Sequence, residues 1–141
     1  MNPYFEQKIL SAGPIELTRL VYQRAITCVR EAREHLRNKK IVERSAAVTR
    51  AYAAVGELIS ALHPESAPEL AHQLRSLYLH IQRRLLDGNL QQADPPLAEA
   101  LTLLMTLAEA WAGLEDEAAP GAGTWNAAQF TSERTQVAIS A

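Results

Sequence analysis

Cysteine is almost missing from this 141-residue chain. Cys28 stands alone, which excludes an intramolecular disulfide and a zinc site assembled from several thiolates, and its usage fits a reducing compartment. A charge excess is missing too: the net charge is -2, which speaks against a general nucleic-acid binder or a polybasic membrane-surface protein. No apolar run approaches the roughly 18 residues that a membrane span needs. The N-terminus lacks a basic segment followed by an apolar run and a small-residue cleavage site, so a soluble cytoplasmic protein without direct membrane insertion is expected. Nowhere does the chain alternate apolar and polar residues as a half-buried strand does. It also has no Gly-rich phosphate loop, no Gly-x-Ser-x-Gly turn, and no Cys/His pair at a metal or catalytic spacing.

What remains is helical periodicity. Residues 14–38 carry Leu17, Val21, Cys28, Ala32 and Leu36 at steps of one or two turns, with Leu20, Ala25 and Val29 widening the stripe. Pro14 suits the first helical position, because its missing N–H would be unpaired there and its φ is already helical. Glu16 puts a carboxylate at the positive end of the helix dipole. A second helix is predicted from about Val42 to Leu62 on the stripe Val48, Tyr52, Val55, Ile59 and Leu62. Gly56 within it costs about 1 kcal/mol relative to Ala, which suggests close approach by a neighbouring helix. Pro68 opens a third helix with the stripe Leu70, Leu74, Leu77, Ile81 and Leu85, and Gly88 is the expected left-handed terminator. Asp94-Pro95-Pro96 opens a fourth, with Asp94 as cap, and Leu97, Leu101, Leu104, Ala108 and Trp111 following.

Four such segments with short connections predict an all-α, antiparallel up-down four-helix bundle. It is preceded by an apolar N-terminal arm containing Tyr4, Phe5, Ile9 and Leu10. The domain is expected to span residues 1–114, including the arm at 1–13. From 115 to 141 the sequence is rich in Ala, Gly, Ser and Thr and loses its periodicity, and it reads as a disordered tail with two aromatics, Trp125 and Phe130.

Chemistry-bearing patterns are thin. Glu69 and His72 make a Glu-x-x-His pair, half of what a bundle di-iron site requires, without a second pair elsewhere; a solvated helix face is the better reading. Cys28 lies on an apolar stripe and reads as a buried thiol rather than a nucleophile. The cluster Arg30, Arg33, Arg37, Lys39, Lys40 and Arg44 is interleaved with Glu31, Glu34 and Glu43, as on an ordinary solvated helix end. Arg83-Arg84 is open to an acidic partner or to a carboxylate on the fourth helix. Tyr22, Ile26, Leu79, Leu86 and Leu103 lie off the main seams. Two readings of them stand side by side: a thick core with scattered exposed side chains, or a groove for an amphipathic partner.

Several landmarks occur in order. Tyr4 precedes the turn Ser11-Ala12-Gly13-Pro14-Ile15-Glu16-Leu17. Val21-Tyr22-Gln23-Arg24-Ala25-Ile26 follows. The third helix carries Leu74, Leu77, Tyr78, Arg83, Arg84, Leu85, Leu86 and Asn89 at fixed offsets, and the fourth ends in Ala110-Trp111. In order and spacing the chain resembles the flagellin export chaperones of the FliS family, over about Pro3 to Leu114. It departs from the family pattern at Gln23-Arg24, where Asp-Gly is usual, at Gly88, where Ala is common, and in the loop His63 to Ala67, which lacks a Gly-Gly pair.

The resemblance implies a non-enzymatic, cofactor-free chaperone of the cytoplasm. Its expected partner is the C-terminal segment of flagellin, kept from polymerising and helped towards the flagellar export gate, a membrane protein that is itself a candidate partner. No nucleic-acid partner is implied. A helical adaptor for another export-apparatus or regulatory protein is the alternative. The candidate flagellin-contacting residues are Tyr4, Phe5, Ile9, Leu10, Pro14, Leu17, Leu20, Tyr22 and Tyr78. The arm is expected to be the mobile half of that site, hinged at Ser11-Ala12-Gly13-Pro14.

Overall fold

The structure, a computed structural model, describes residues 14–117, with side chains described from 15 to 113. The described residues form four helices: α1 (Pro14–Arg37), α2 (Ile41–Ser60), α3 (Pro68–Gln91) and α4 (Asp94–Glu117). Each packs against its two neighbours around a square: α1 on α2 and α4, α3 on α2 and α4. The predicted antiparallel up-down bundle is therefore the fold. The arm and the residues from 118 onward lie outside the described residues.

Local chemistry sets the helix ends. Pro14 and Pro68 stand at helix starts, and Glu16, Glu43, Glu69 and Asp94 occupy first turns, where the dipole favours negative charge. α1 closes on Lys39, which adopts φ 59. Lys39 N–H donates to the Leu36 carbonyl and Lys40 N–H to the His35 carbonyl, the paired bonds of a Schellman ending. α3 runs further than its glycine suggested. Gly88 lies inside the helix, and the left-handed residue is Gln92, with φ 52.

Gly88 has another task. A Cβ on it would come within 2.6 Å of the Leu97 side chain, so the glycine lets the start of α4 press against α3. Glycine serves equally for a left-handed backbone and for close approach, and spacing alone does not separate the two. Gly56 shows the converse. A Cβ there would lie 3.6 Å from Gln82 Nε2, an ordinary contact, so no close approach requires it.

The core takes its largest fully buried side chains from all four helices, among them Tyr22 and Val29 of α1, Val48 and Val55 of α2, Tyr78, Ile81 and Leu85 of α3, and Leu97 and Leu104 of α4. Each such aliphatic side chain contributes roughly 1.5–3 kcal/mol. The α1–α2 seam is built from small residues, with Ala25, Ala32, Ala47, Ala51 and Ala54 all buried, so those two backbones approach closely. Tyr22 and Ile26, expected to one side of the seam, belong to the core. Cys28 is buried, as its place on the stripe indicated. Leu79 and Leu86 are exposed, and Leu103 is partly buried against the core. No helix among the described residues is long and apolar enough to cross a membrane.

Candidate functional site

At the end of the bundle where α1 begins, the α2–α3 connection breaks the helical run beside a groove. The break is written in the sequence: His63-Pro64-Glu65-Ser66-Ala67 has a proline that cannot continue α2, and Pro68 then starts α3. The result is a groove of about 170 Å³. Leu58 and Leu62 from the end of α2, Leu70, Ala71, Leu74 and Tyr78 from α3, Thr18 from α1 and Trp111 from α4 line it, with Ala61, His63, Ser66 and Ala67 at its rim. The walls are overwhelmingly hydrocarbon. Such a site holds apolar side chains by excluding water and offers few groups for chemistry.

The floor is polar in one place. The Tyr22 and Tyr78 hydroxyls lie 2.5 Å apart, a buried hydrogen bond in which either oxygen can donate. Tyr22 also packs its ring 6.4 Å from those of both Tyr78 and Trp111, tilted against each. Burial pushes both phenol pKa values up, and for Tyr22 the neighbouring Tyr78 adds to the effect. Both therefore stay protonated through the physiological range, and the pair is a locked neutral bridge from α1 to α3 rather than an acid or base.

The sequence-derived contact residues divide accordingly. Leu20, 4% exposed, and Tyr22 sit in the core rather than on a contact surface. Tyr78 is equally buried, but its edge reaches the groove wall. Leu17 is half-buried on α1, one residue from the groove-lining Thr18. Tyr4, Phe5, Ile9 and Leu10 fall outside the described residues, as does the side chain of Pro14. Sequence reasoning missed Leu58, Leu62, Leu70, Leu74 and Trp111 as groove walls. Their apolar periodicity was visible, but not which part of each stripe faces a groove: Leu58 and Leu74 are buried there, and Leu62, Leu70 and Trp111 are partly buried. Glu69 and His72 are both exposed, and among the described residues no group of three or more potential metal ligands forms.

The departures at Gln23-Arg24 also find a place. Gln23 is exposed, and Arg24 forms a salt bridge with Glu57 across the α1–α2 seam, away from the groove. Arg84 pairs with Glu99 of α4, whose other carboxylate oxygen accepts a hydrogen bond from His80 Nε2 at 2.9 Å. One of the two partners open to Arg83-Arg84 is thus settled for Arg84.

Comparison with known proteins agrees with this geometry. A sequence model of the family described as "Flagellar protein FliS" matches residues 1–118. The chain belongs to the FliS family. It is 30% identical over 114 residues to the flagellar secretion chaperone FliS of Salmonella typhimurium, covering 80% of this chain and 84% of that protein. It is 28% identical over 109 residues to the flagellar secretion chaperone FliSB of Pseudomonas aeruginosa, covering 77% and 86%. It is 29% identical over 110 residues to the flagellar secretion chaperone FliS of Campylobacter jejuni, covering 78% and 86%. The FliS match takes in the arm and all four helices and stops where α4 ends.

Proposed function

We propose that this chain is a cytoplasmic flagellar export chaperone, without enzymatic activity or cofactor, that binds the C-terminal segment of flagellin, prevents its premature polymerisation and assists its delivery to the export gate. The apolar groove at the α1 end of the bundle carries the reading. It is a surface that rewards burial of leucine-type side chains, and it opens beside the helix start that follows the apolar arm. A client segment that folds on binding spends about 2–5 kcal/mol of its contact energy on ordering, which keeps a large interface reversible. Release at an export gate requires that reversibility. In this reading Leu62, Leu70 and Leu74 receive the client's apolar face, and Tyr4, Phe5, Ile9 and Leu10 close over it from the other side, hinged at Ser11-Ala12-Gly13-Pro14.

Titration calorimetry with a peptide from the C-terminal end of the same organism's flagellin tests the reading. Binding in the micromolar range or tighter is expected. Leu70→Glu, at a half-buried groove wall, should weaken it at least tenfold with the circular dichroism spectrum unchanged, and Tyr4→Ala should weaken it less. No heat of binding at high micromolar peptide would overturn the assignment. Limited proteolysis near Lys8 tests the arm: protection by the client is expected, and equal cleavage with and without it counts against an arm that closes.

A further inference from the structure

The groove leaves a different surface of the bundle unexplained. The large hydrophobics most exposed among the described residues are Ile41, Val42, Tyr52, Leu79, Leu86, Leu90 and Met105, and all but Met105 lie on α2 and α3. On α3, Leu79, Leu86 and Leu90 recur at helical spacing along one stripe, opposite the buried Leu74, Ile81 and Leu85. On α2, Val42, Ser45, Thr49, Tyr52 and Gly56 form the matching stripe, mostly of small side chains. Hydrogen bonds bring the two together: Gln82 Nε2 donates to the Tyr52 carbonyl at 3.2 Å, and Ser45 Oγ to Asn89 Oδ1 at 3.3 Å. The two stripes thus border one outer channel, the seam between α2 and α3, with three exposed leucines on its α3 side and Val42, Tyr52 and small side chains on its α2 side.

Charge distinguishes this channel from the rest of the surface. Arg75 and Arg83 lie on the leucine stripe, one turn from Leu79 on either side, and both are exposed. Every other arginine of the described side chains has a partner: Arg19 with Glu16, Arg24 with Glu57, Arg30 with the Met105 sulfur, Arg33 with Asp94, Arg37 with Glu34, Arg44 with Asn89, Arg50 with Glu31, Arg84 with Glu99. Arg75 and Arg83 have none among the described residues. Neither stripe contains an Asp or Glu. Salt bridges cross the α1–α2, α1–α4 and α3–α4 seams, whereas among the described residues the polar links between α2 and α3 are hydrogen bonds without a salt bridge. Even Arg44, 5% exposed in this seam, bonds to the Asn89 amide and carbonyl oxygens instead of a carboxylate.

We propose that the outer α2–α3 channel docks an acidic amphipathic helix of a second protein, its apolar face laid along Leu79, Leu86 and Leu90 and its carboxylates reaching Arg75 and Arg83. Helix-in-groove recognition needs an apolar stripe at helical spacing and a charged rim that sets the register, and both are present here. Two guanidiniums with free forks match carboxylates bidentately, which lysines in their place would not do. The inference is independent of the client reading, since the channel shares no lining residue with the end groove.

The test uses the full chain with isotope-labelled methyl groups and two synthetic helical peptides of 18 residues. Both carry leucine on one face; one has glutamate on the flanks and its twin has lysine. The acidic peptide is expected to shift the methyl signals of Leu79, Leu86 and Leu90 while leaving those of Leu62 and Leu70 in place, and to bind at least tenfold tighter than its twin. Raising salt should narrow that ratio. The pair of substitutions Arg75→Glu and Arg83→Glu should invert the preference, so that the lysine peptide wins; both sites are exposed, and circular dichroism checks the fold. Should that variant fail to fold, Arg83→Gln with a tenfold loss for the acidic peptide alone serves instead. Equal binding of the twins, or shifts confined to Leu62 and Leu70, would overturn the proposal. So would a concentration-dependent dimer in sedimentation that Leu86→Ser abolishes, because the occupant would then be a second copy of this chain.

Discussion

The two ends of this bundle are built on opposite plans. At the end where α1 meets α2 and α3 meets α4, polar clamps close every approach. Arg33 grips Asp94 with two bonds of 2.8 and 2.9 Å, Arg44 holds Asn89, and Gly88 lets Leu97 press against α3. At the other end a proline-broken connection joins α2 to α3, and the groove beside it is lined with hydrocarbon. The first end fixes helix positions, and the second gathers buried and half-buried apolar side chains around one groove.

The comparison breaks most visibly on one chemical change made at both ends. Leu97→Ala, at a fully buried position, should cost about 2–5 kcal/mol. Leu70→Ala, half-buried in the groove wall, should cost less than about 1 kcal/mol, because little cavity is left behind. Urea denaturation of the pair measures the difference, and equal losses would mean that the groove end is as tightly packed as the clamped one.

Between the ends, the tyrosine pair offers a smaller effect. Tyr22→Phe and Tyr78→Phe should each cost about 0.5–1.5 kcal/mol, while the double variant should cost less than the sum, since removing both hydroxyls leaves no buried group without its partner. A double-mutant cycle in urea gives the coupling directly, and strict additivity would show that the bond contributes nothing.

Smaller again is the Arg33–Asp94 clamp, part-exposed at 28% and 41% of the side chains. Its hydrogen bond to Arg33 holds the Asp94 carboxyl below its ordinary pKa. A depressed folded-state pKa gives stability that is present above the unfolded value and lost as pH falls through the folded one. Asp94→Asn should therefore destabilise by about 0.5–1 kcal/mol at neutral pH, and the gap should close as pH falls through the depressed folded-state pKa of Asp94. Thermal melts of both proteins across acid pH check this; a gap that persists in acid would assign the loss to packing.

The smallest change sharpens the clamped end. Lys39 holds a left-handed backbone at the close of α1. Lys39→Gly should raise stability by up to about 1 kcal/mol by relieving the contact of Cβ with the carbonyl. A drop in the urea midpoint would instead mean that the lysine side chain supports the turn.

Much of the frame was legible before any coordinates. Pro14, Pro68 and Asp94-Pro95-Pro96 mark helix starts because proline suits an N-terminal turn and little else in a helix. The stripes on Leu74, Ile81 and Leu85 and on Leu97 and Leu104 name their inward faces by period alone. The site was less legible. Tyr22 reads as off-seam on a helical wheel, yet it is fully buried, because the inward face of α1 is the line Tyr22, Ala25, Val29 and Ala32, while Leu17 and Val21 of the predicted stripe are only partly buried. Leu62 and Leu70 read as core and are groove walls, because how far two helices splay depends on the loop between them and on all four helices at once.

Local and periodic features follow from the sequence itself: four amphipathic helices, and an order of landmarks that marks the FliS family. These follow from backbone sterics and from the 3.6-residue repeat, which act within a few turns. The tertiary structure decided what depends on distant partners. It chose the use of Gly88, gave Arg84 a carboxylate while leaving Arg75 and Arg83 without one, and turned a run of helical leucines into a wall at one end and an exposed bank along α2 and α3. Burial and pairing are properties of the space between helices, and no single helix contains that space.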